Sequence, residues 1–98
     1  MSFGIFIRPE AESDLEEAAI WYEKQRRGLG GEFIDEVRRT VRLLTENPYL
    51  YHVVHQNIRS ALIRRFPFAT YYLIEQKTII VISVMHGSRD PKRWRQRV

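Results

Sequence analysis

Apolar and polar positions alternate at the start of the chain. Phe3, Ile5 and Ile7 are interleaved with Gly4, Phe6 and Arg8, a short strand with one face buried. Pro9 ends it and suits the first turn of a helix. Ala11, Leu15, Ala18, Ala19 and Tyr22 then recur at helical spacing. Glu10, Glu12, Asp14 and Glu16 crowd the start of that helix, where the macrodipole favours anions. Its end is expected near Arg26 or Arg27, and Gly28, Gly30 and Gly31 mark a break. Leu29, Phe33, Val37, Val41 and Leu44 follow at helical spacing, the clearest amphipathic pattern in the chain. Here too the acids come first (Glu32, Asp35, Glu36) and the arginines later (Arg38, Arg39, Arg42), as the dipole prefers. Asn47-Pro48 stops this second helix. The short glycine-rich connection makes the pair an antiparallel hairpin.

The second half has the period of strands. Pro48 to Gln56 reads as irregular, and Ile58 to Phe66 as a strand punctuated by Pro67. Phe68, Thr70, Tyr72 and Ile74 alternate with Ala69, Tyr71 and Leu73. Glu75-Gln76-Lys77 is a turn of hairpin size. Thr78 to Met85 is almost wholly apolar and β-branched, the pattern of a central strand buried on both faces. Short turns between consecutive strands imply an antiparallel meander. His86 to Val98 is polar and basic; Asp90-Pro91 can start one short helix, with Trp94 packing back. The predicted order is β-α-α-β-β-β with a basic tail. This is an α+β domain over 1–98, with the helical hairpin on one face of a small antiparallel sheet.

Composition narrows the function classes. The 98 residues include no cysteine, which excludes disulfides and thiolate metal sites. No apolar run approaches the ~20 residues that span a bilayer. Met1 to Arg8 carry no signal-peptide pattern, so a cytoplasmic location and no membrane partner are expected. The charge is lopsided. Residues 1–57 hold seven Lys and Arg against ten Asp and Glu, net −3. Residues 58–98 hold nine against two, net +7. A basic half of this kind favours nucleic acid or an acidic protein as partner.

Little in the chain carries chemistry. His52 and His55 are spaced as a metal pair but have no third ligand nearby, so no metal is expected. Ser13, Ser60, Ser83 and Ser88 lack a nucleophile-elbow context. Gly28 to Gly31 lacks the Lys-Ser/Thr of a phosphate loop. General acid–base cleavage of RNA needs a proton acceptor, a donor and cations for the developing phosphorane charge. His86, Arg64, Arg65 and Arg89 supply such groups, although on a strand Arg64 and Arg65 point to opposite faces. His86 and Arg89 can equally serve to orient the tail through hydrogen bonds. The aromatics Trp21, Tyr22, Phe66, Phe68, Tyr71, Tyr72 and Trp94 can stack bases but read chiefly as core.

The order of short motifs is informative. Ala11-x-x-Asp14-Leu15, Trp21-Tyr22, Gly28-Leu29-Gly30 and Phe33 are followed by Asn47-Pro48 and Ile58-Arg59. Then come Arg65-Phe66-Pro67-Phe68 with Tyr72, and His86-Gly87-x-Arg89-Asp90-Pro91-x-x-Trp94. In order and spacing, over almost the whole chain, these resemble the plasmid-stabilisation toxins of the ParE/RelE superfamily. The resemblance implies a helical hairpin on a small antiparallel sheet, in agreement with the periodicity. It further implies the toxin of a type II toxin–antitoxin module, held inactive by a cognate antitoxin. An antitoxin segment would lie in an apolar groove between hairpin and sheet, for which Leu15, Tyr22, Phe33, Val37 and Val41 are the expected lining.

Two branches of that superfamily act differently. RelE-like members cut mRNA on the ribosome; ParE-like members poison DNA gyrase. RelE-like chains usually carry Arg after the aromatic that opens the penultimate strand, where this chain has Ala69. They often carry lysines on the preceding strand, here Ser60, Ala61, Leu62 and Ile63, and a catalytic Tyr near the C-terminus, here Trp94 and arginines. Arg59 joins Arg64, Arg65, His86 and Arg89 among the substitutes that remain. The resemblance therefore implies the ParE-like branch and inhibition of gyrase by protein contact, with no cofactor and no small-molecule ligand. The expected contact residues are Arg64, Arg65, Arg89, Lys92, Arg93, Trp94, Arg95 and Arg97. The alternatives are a ribosome-dependent endoribonuclease with His86, Arg89, Arg64 and Arg65 as its site, and an inactive member that only binds its antitoxin.

Overall fold

The structure, a computed structural model, describes residues 3–88 and 91–97. Met1, Ser2, Arg89, Asp90 and Val98 lie outside the described residues, and with them the roles expected of Arg89 and of Asp90 as a helix start. Strand β1 (Gly4–Ile7) leads into helices α1 (Pro9–Gln25) and α2 (Leu29–Glu46). A 3-10 turn (Pro48–Leu50) precedes β2 (His52–His55), β3 (Ile58–Leu62), β4 (Phe68–Glu75) and β5 (Thr78–His86). A single turn of helix, α3 (Lys92–Arg95), follows. The predicted α+β hairpin-on-sheet architecture is thus observed.

Pro9 at the first position of α1 and Glu10 and Glu12 in its first turn suit a helix start. The hairpin turn then uses a side chain of one helix to cap the next. The Glu23 carboxylate accepts the N–H groups of Gly28 (2.9 Å) and Gly30 (3.0 Å), donors that the start of α2 leaves open. Gly28 has φ +89°, a left-handed backbone that glycine adopts without cost. Gly30 and Gly31 do not extend the break, as the sequence suggests; both lie in the first turn of α2. At Gly30 a Cβ would stand 2.5 Å from the carbonyl oxygen of Ala19, so glycine there sets how closely the helices cross.

The sheet has five strands in the order β1-β5-β4-β3-β2. Strands β3 to β5 form the expected antiparallel meander, which β2 extends, but β1 pairs with β5 in parallel, Gly4 opposite Thr78 and Ile7 opposite Val81. The sheet is therefore mixed, because the helical hairpin carries the chain away from β1 before the meander begins. Two further expectations change. The stretch 48–56 is not irregular throughout but contains β2, paired with β3 through a register shift between Val53 and His55. The strand expected to Phe66 stops at Leu62, and residues 64–67 turn back toward β4.

The sheet is covered on both sides. The hairpin face is filled by Ala11, Phe33, Val37, Leu44, Tyr72 and Val81, among others. The opposite face carries Ile58, Tyr71, Leu73, Ile82 and Met85, with Trp94 of α3 on top. A bulge in β5 keeps both faces apolar. Tyr71 pairs with Ser83 but Tyr72 with Val81, so Ile82 is the extra residue. Ile79 and Val81 face the hairpin before it, and Val84 after it.

Candidate functional site

A groove of about 990 Å³ opens between α1, the His86 end of β5 and α3. Trp21, Tyr22, Phe68 and Met85 supply its apolar wall. Trp21 is 57 % exposed, and its neighbour Ile20 is exposed as well. Behind the wall the rings of Tyr22, Phe33, Phe66 and Phe68 pack together; Tyr22 meets Phe66 at 4.9 Å and Phe33 at 5.3 Å. Desolvation raises the Tyr22 phenol above its ordinary pKa. Asp14 and Glu17 of α1 form an acidic lip, and Arg93 and Arg97 a basic one.

Asp14 and Arg97 close one end of the groove. β1 stops at Ile7, so β5 has no strand neighbour on that side beyond Val81. The open edge is sealed by side chains. Val84 N–H donates to Asp14 Oδ2 at 3.0 Å, and Arg97 Nη1 donates to the Ile82 carbonyl at 3.1 Å. Arg97 and Asp14 also meet as a fork, Nη1 to Oδ2 at 2.6 Å and Nη2 to Oδ1 at 3.1 Å. The hydrogen bond to Asp14 raises the Arg97 guanidinium above its ordinary pKa. Arg8 Nη1 donates to the Arg97 carbonyl at 2.7 Å.

Several of the cations expected at the contact surface are already engaged within the chain. Arg64 and Arg65 do not alternate on a strand; they sit in the turn after β3, Arg65 with φ +73°. Arg65 bonds Glu32 at 2.8 Å and approaches Glu36 at 3.7 Å. Its hydrogen bond, then that of Arg26, holds the Glu32 carboxyl below its ordinary pKa. Arg59 donates to the carbonyls of Tyr49 (3.1 Å) and Tyr51 (2.6 Å) and so fastens the 3-10 turn. Arg64, Lys92, Arg93 and Arg95 are exposed, Arg95 lying over the Trp94 ring at 5.4 Å.

The apolar candidates divide in the same way. Trp94 is only 4 % exposed and packs on Tyr71, as expected of a tail that folds back. Of the five residues expected to line the groove, Tyr22 alone does so. Phe33 and Val37 are buried in the hairpin core, and Leu15 and Val41 pack against that core. An amphipathic stripe marks the face that the chain covers itself, so it could not reveal a surface groove. Asp14, Trp21 and Ser88 line the groove although no sequence pattern assigns them to it; an exposed tryptophan is not separable by pattern from a buried one.

His86 lines the groove beside Ser88. Ser88 N–H donates to His86 Nδ1 at 3.1 Å, and its Oγ stands 2.7 Å from the same nitrogen. With Nδ1 an acceptor, the neutral ring carries its proton on Nε2. Among the described residues there is no group of three His, Cys, Asp or Glu that could hold a metal ion. No helix of the described residues is long and apolar enough to cross a membrane.

An apolar groove with lips of opposite charge thus lies beside the basic C-terminal segment. The chain belongs to the ParE toxin family of type II toxin–antitoxin systems: the model for "ParE toxin of type II toxin-antitoxin system, parDE" matches residues 5–91. The fold is similar to one in the chromosomal ParDE toxin–antitoxin system of P. aeruginosa. That match has a TM-score of 0.78 at 13 % identity and covers 87 % of this chain and 96 % of that one. It is also similar to a chain of a RelBE toxin–antitoxin complex of Mycobacterium tuberculosis, with a TM-score of 0.54, 16 % identity and coverage of 88 % and 99 %. A copper-bound mutant toxin from Helicobacter pylori matches with a TM-score of 0.56, 14 % identity and coverage of 88 % and 96 %. No curated protein sequence matches the chain significantly.

Proposed function

We propose that this ParE-family toxin arrests growth by binding DNA gyrase through its basic C-terminal segment and the adjoining turn, and that a cognate antitoxin neutralises it. The observation that carries the target reading is the state of the cations. A nuclease needs guanidinium groups free to meet a phosphorane beside an acid–base pair. Here Arg65 is committed to Glu32, Arg97 to Asp14 and Arg59 to backbone carbonyls. The exposed Arg64, Arg93 and Arg95 form a dispersed surface, suited to a protein contact. Trp94 belongs to the core, so its contribution to the contact is to hold α3 in place.

The antitoxin reading rests on family membership and on the groove. Its aromatic wall and paired lips fit an amphipathic helix or extended segment with an acidic flank. The net +7 of residues 58–98 speeds encounter with such a partner. Among the described residues, an endoribonuclease reading is favoured only by His86, which shares the groove with Arg93.

The test pairs two assays on the purified chain: gyrase supercoiling with DNA cleavage, and mRNA on translating ribosomes. Loss of supercoiling with intact mRNA is expected. Codon-positioned cuts with unaffected gyrase would replace this reading by the endoribonuclease. Inertness in both, with retained antitoxin binding, would leave an inactive member.

A further inference from the structure

Acids crowd the first half of α1: Glu10 and Glu12 in the first turn, where they suit the helix dipole, then Asp14, Glu16 and Glu17. Only Asp14 also takes a backbone N–H of the sheet, from Val84, and an arginine from the end of the chain. The pair it forms with Arg97 spans 83 residues of sequence and is largely withdrawn from water, the two side chains being 11 % and 21 % exposed. Its fork geometry is the strong, directional kind of ion pair.

The segment this pair holds cannot order itself. α3 is four residues long, and an isolated helical turn is unstable in water. Its orientation comes from anchors at two places. Trp94 stacks on Tyr71 on the rear face of the sheet, and Arg97 is tied at the open edge of β5 by its side chain and, through its carbonyl, by Arg8. One anchor leaves α3 free to pivot; two define which way Arg93 and Arg95 point.

We propose that Asp14 is a positioning residue: with Arg97 it latches the basic C-terminal segment to the open edge of β5 and so presents Arg93 and Arg95 to the toxin's target. This rests on the reading that the C-terminal segment makes the target contact, but not on which target it is.

The test uses the full chain with Asp14→Asn, Arg97→Ala and both together. Asn keeps an acceptor for Val84 N–H but loses the charge and the fork. Amide exchange is followed at residues 92–97 and in β4 and β5, and growth arrest is scored on induction. Each single change is expected to speed exchange in 92–97 by about tenfold or more while β4 and β5 stay protected. The double variant should exchange no faster than the singles, since all three lack the same latch. Growth arrest should need about tenfold more chain. A merely stabilising ion pair would instead speed exchange throughout the sheet. Unchanged exchange in 92–97 overturns the latch; so does faster exchange with undiminished arrest, or a wild-type chain that arrests no growth. Should Asp14→Asn fail to fold, Arg97→Ala tests the same latch from the tail side. Gyrase supercoiling with the same proteins separates the two readings: arrest lost through the latch, without any gyrase inhibition by the wild type, keeps the latch and removes gyrase as target.

Discussion

The indole of Trp94 lies flat on the ring of Tyr71, centroids 4.5 Å apart and planes 16° apart. His55 meets the indole at 6.1 Å. The contact joins the last helical turn to the rear face of β4, and it makes Trp94 a core residue despite its place in a charged tail. Trp94→Ala is therefore expected to lower stability by about 3–5 kcal/mol. That is a large share of the ~5–15 kcal/mol available to a domain of this size. Urea unfolding at neutral pH measures it. A loss below about 1 kcal/mol would mean that the tail does not hold the indole in place. Loss of toxicity in this variant would not separate lost stability from a freed α3, so surface contacts are better probed at Arg93 and Arg95.

Gly30 is set by a neighbour rather than by its own dihedral angles. A Cβ there would lie 2.5 Å from the carbonyl oxygen of Ala19 and 3.0 Å from a Glu23 carboxylate oxygen. Elsewhere in a helix Gly→Ala stabilises by about 1 kcal/mol. Gly30→Ala is expected to destabilise instead, by about 1–3 kcal/mol, because the hairpin must open to admit the methyl. Gly31, with open space around its Cβ position, should follow the ordinary rule. The two variants compared by thermal unfolding give opposite signs; the same sign for both would refute the close crossing.

What is legible in the sequence follows from the range of each signal. The helical hairpin, β4, β5 and the back-packing Trp94 are local patterns of period 3.6 or 2, and all are present. β2 escapes the pattern because it is four residues long, has histidine at both ends and carries a register shift that breaks alternation. The parallel partner of β1 is invisible because pairing leaves no mark on a single strand. The Asp14–Arg97 pair is hidden for the same reason: each residue already has a sufficient local explanation, one at a helix start and one in a basic tail. The residues expected to line an antitoxin groove rest on a different signal. Phe33 and Val37 stand out by their apolar periodicity, and that periodicity records what the chain buries against itself.

Thr70 breaks a packing rule inside β4. Its side chain is fully buried on the hairpin side of the sheet, and its hydroxyl has no hydrogen-bond partner. Desolvating a hydroxyl without a partner costs about 1–3 kcal/mol. Thr70→Val replaces it with a methyl of similar size and is expected to raise stability by about 1 kcal/mol. A higher urea midpoint with an unchanged slope confirms this. A loss of stability would show that the hydroxyl has a partner after all.

Tyr72 links the sheet to the turn after α2, its hydroxyl donating to the Pro48 carbonyl at 2.6 Å. The ring is fully buried, and desolvation raises the phenol from its ordinary 10 to about 12; Arg59 opposes that shift and Tyr51 adds to it. The folded state therefore favours the neutral phenol. The stability this provides is complete below pH 10 and is lost as pH rises from 10 through about 12, since the unfolded chain ionises first. In that window wild type is expected to lose about 1.4 kcal/mol per pH unit more than Tyr72→Phe. At neutral pH the ordering reverses: Tyr72→Phe loses the hydrogen bond and is less stable by about 1 kcal/mol. Tyr22 and Tyr71, whose pKa values burial also raises, titrate in both proteins and cancel in the comparison. Urea midpoints of the two proteins at pH 7, 9 and 11 test the argument. Parallel curves across the whole range would place the Tyr72 hydroxyl in water, without its bond to Pro48.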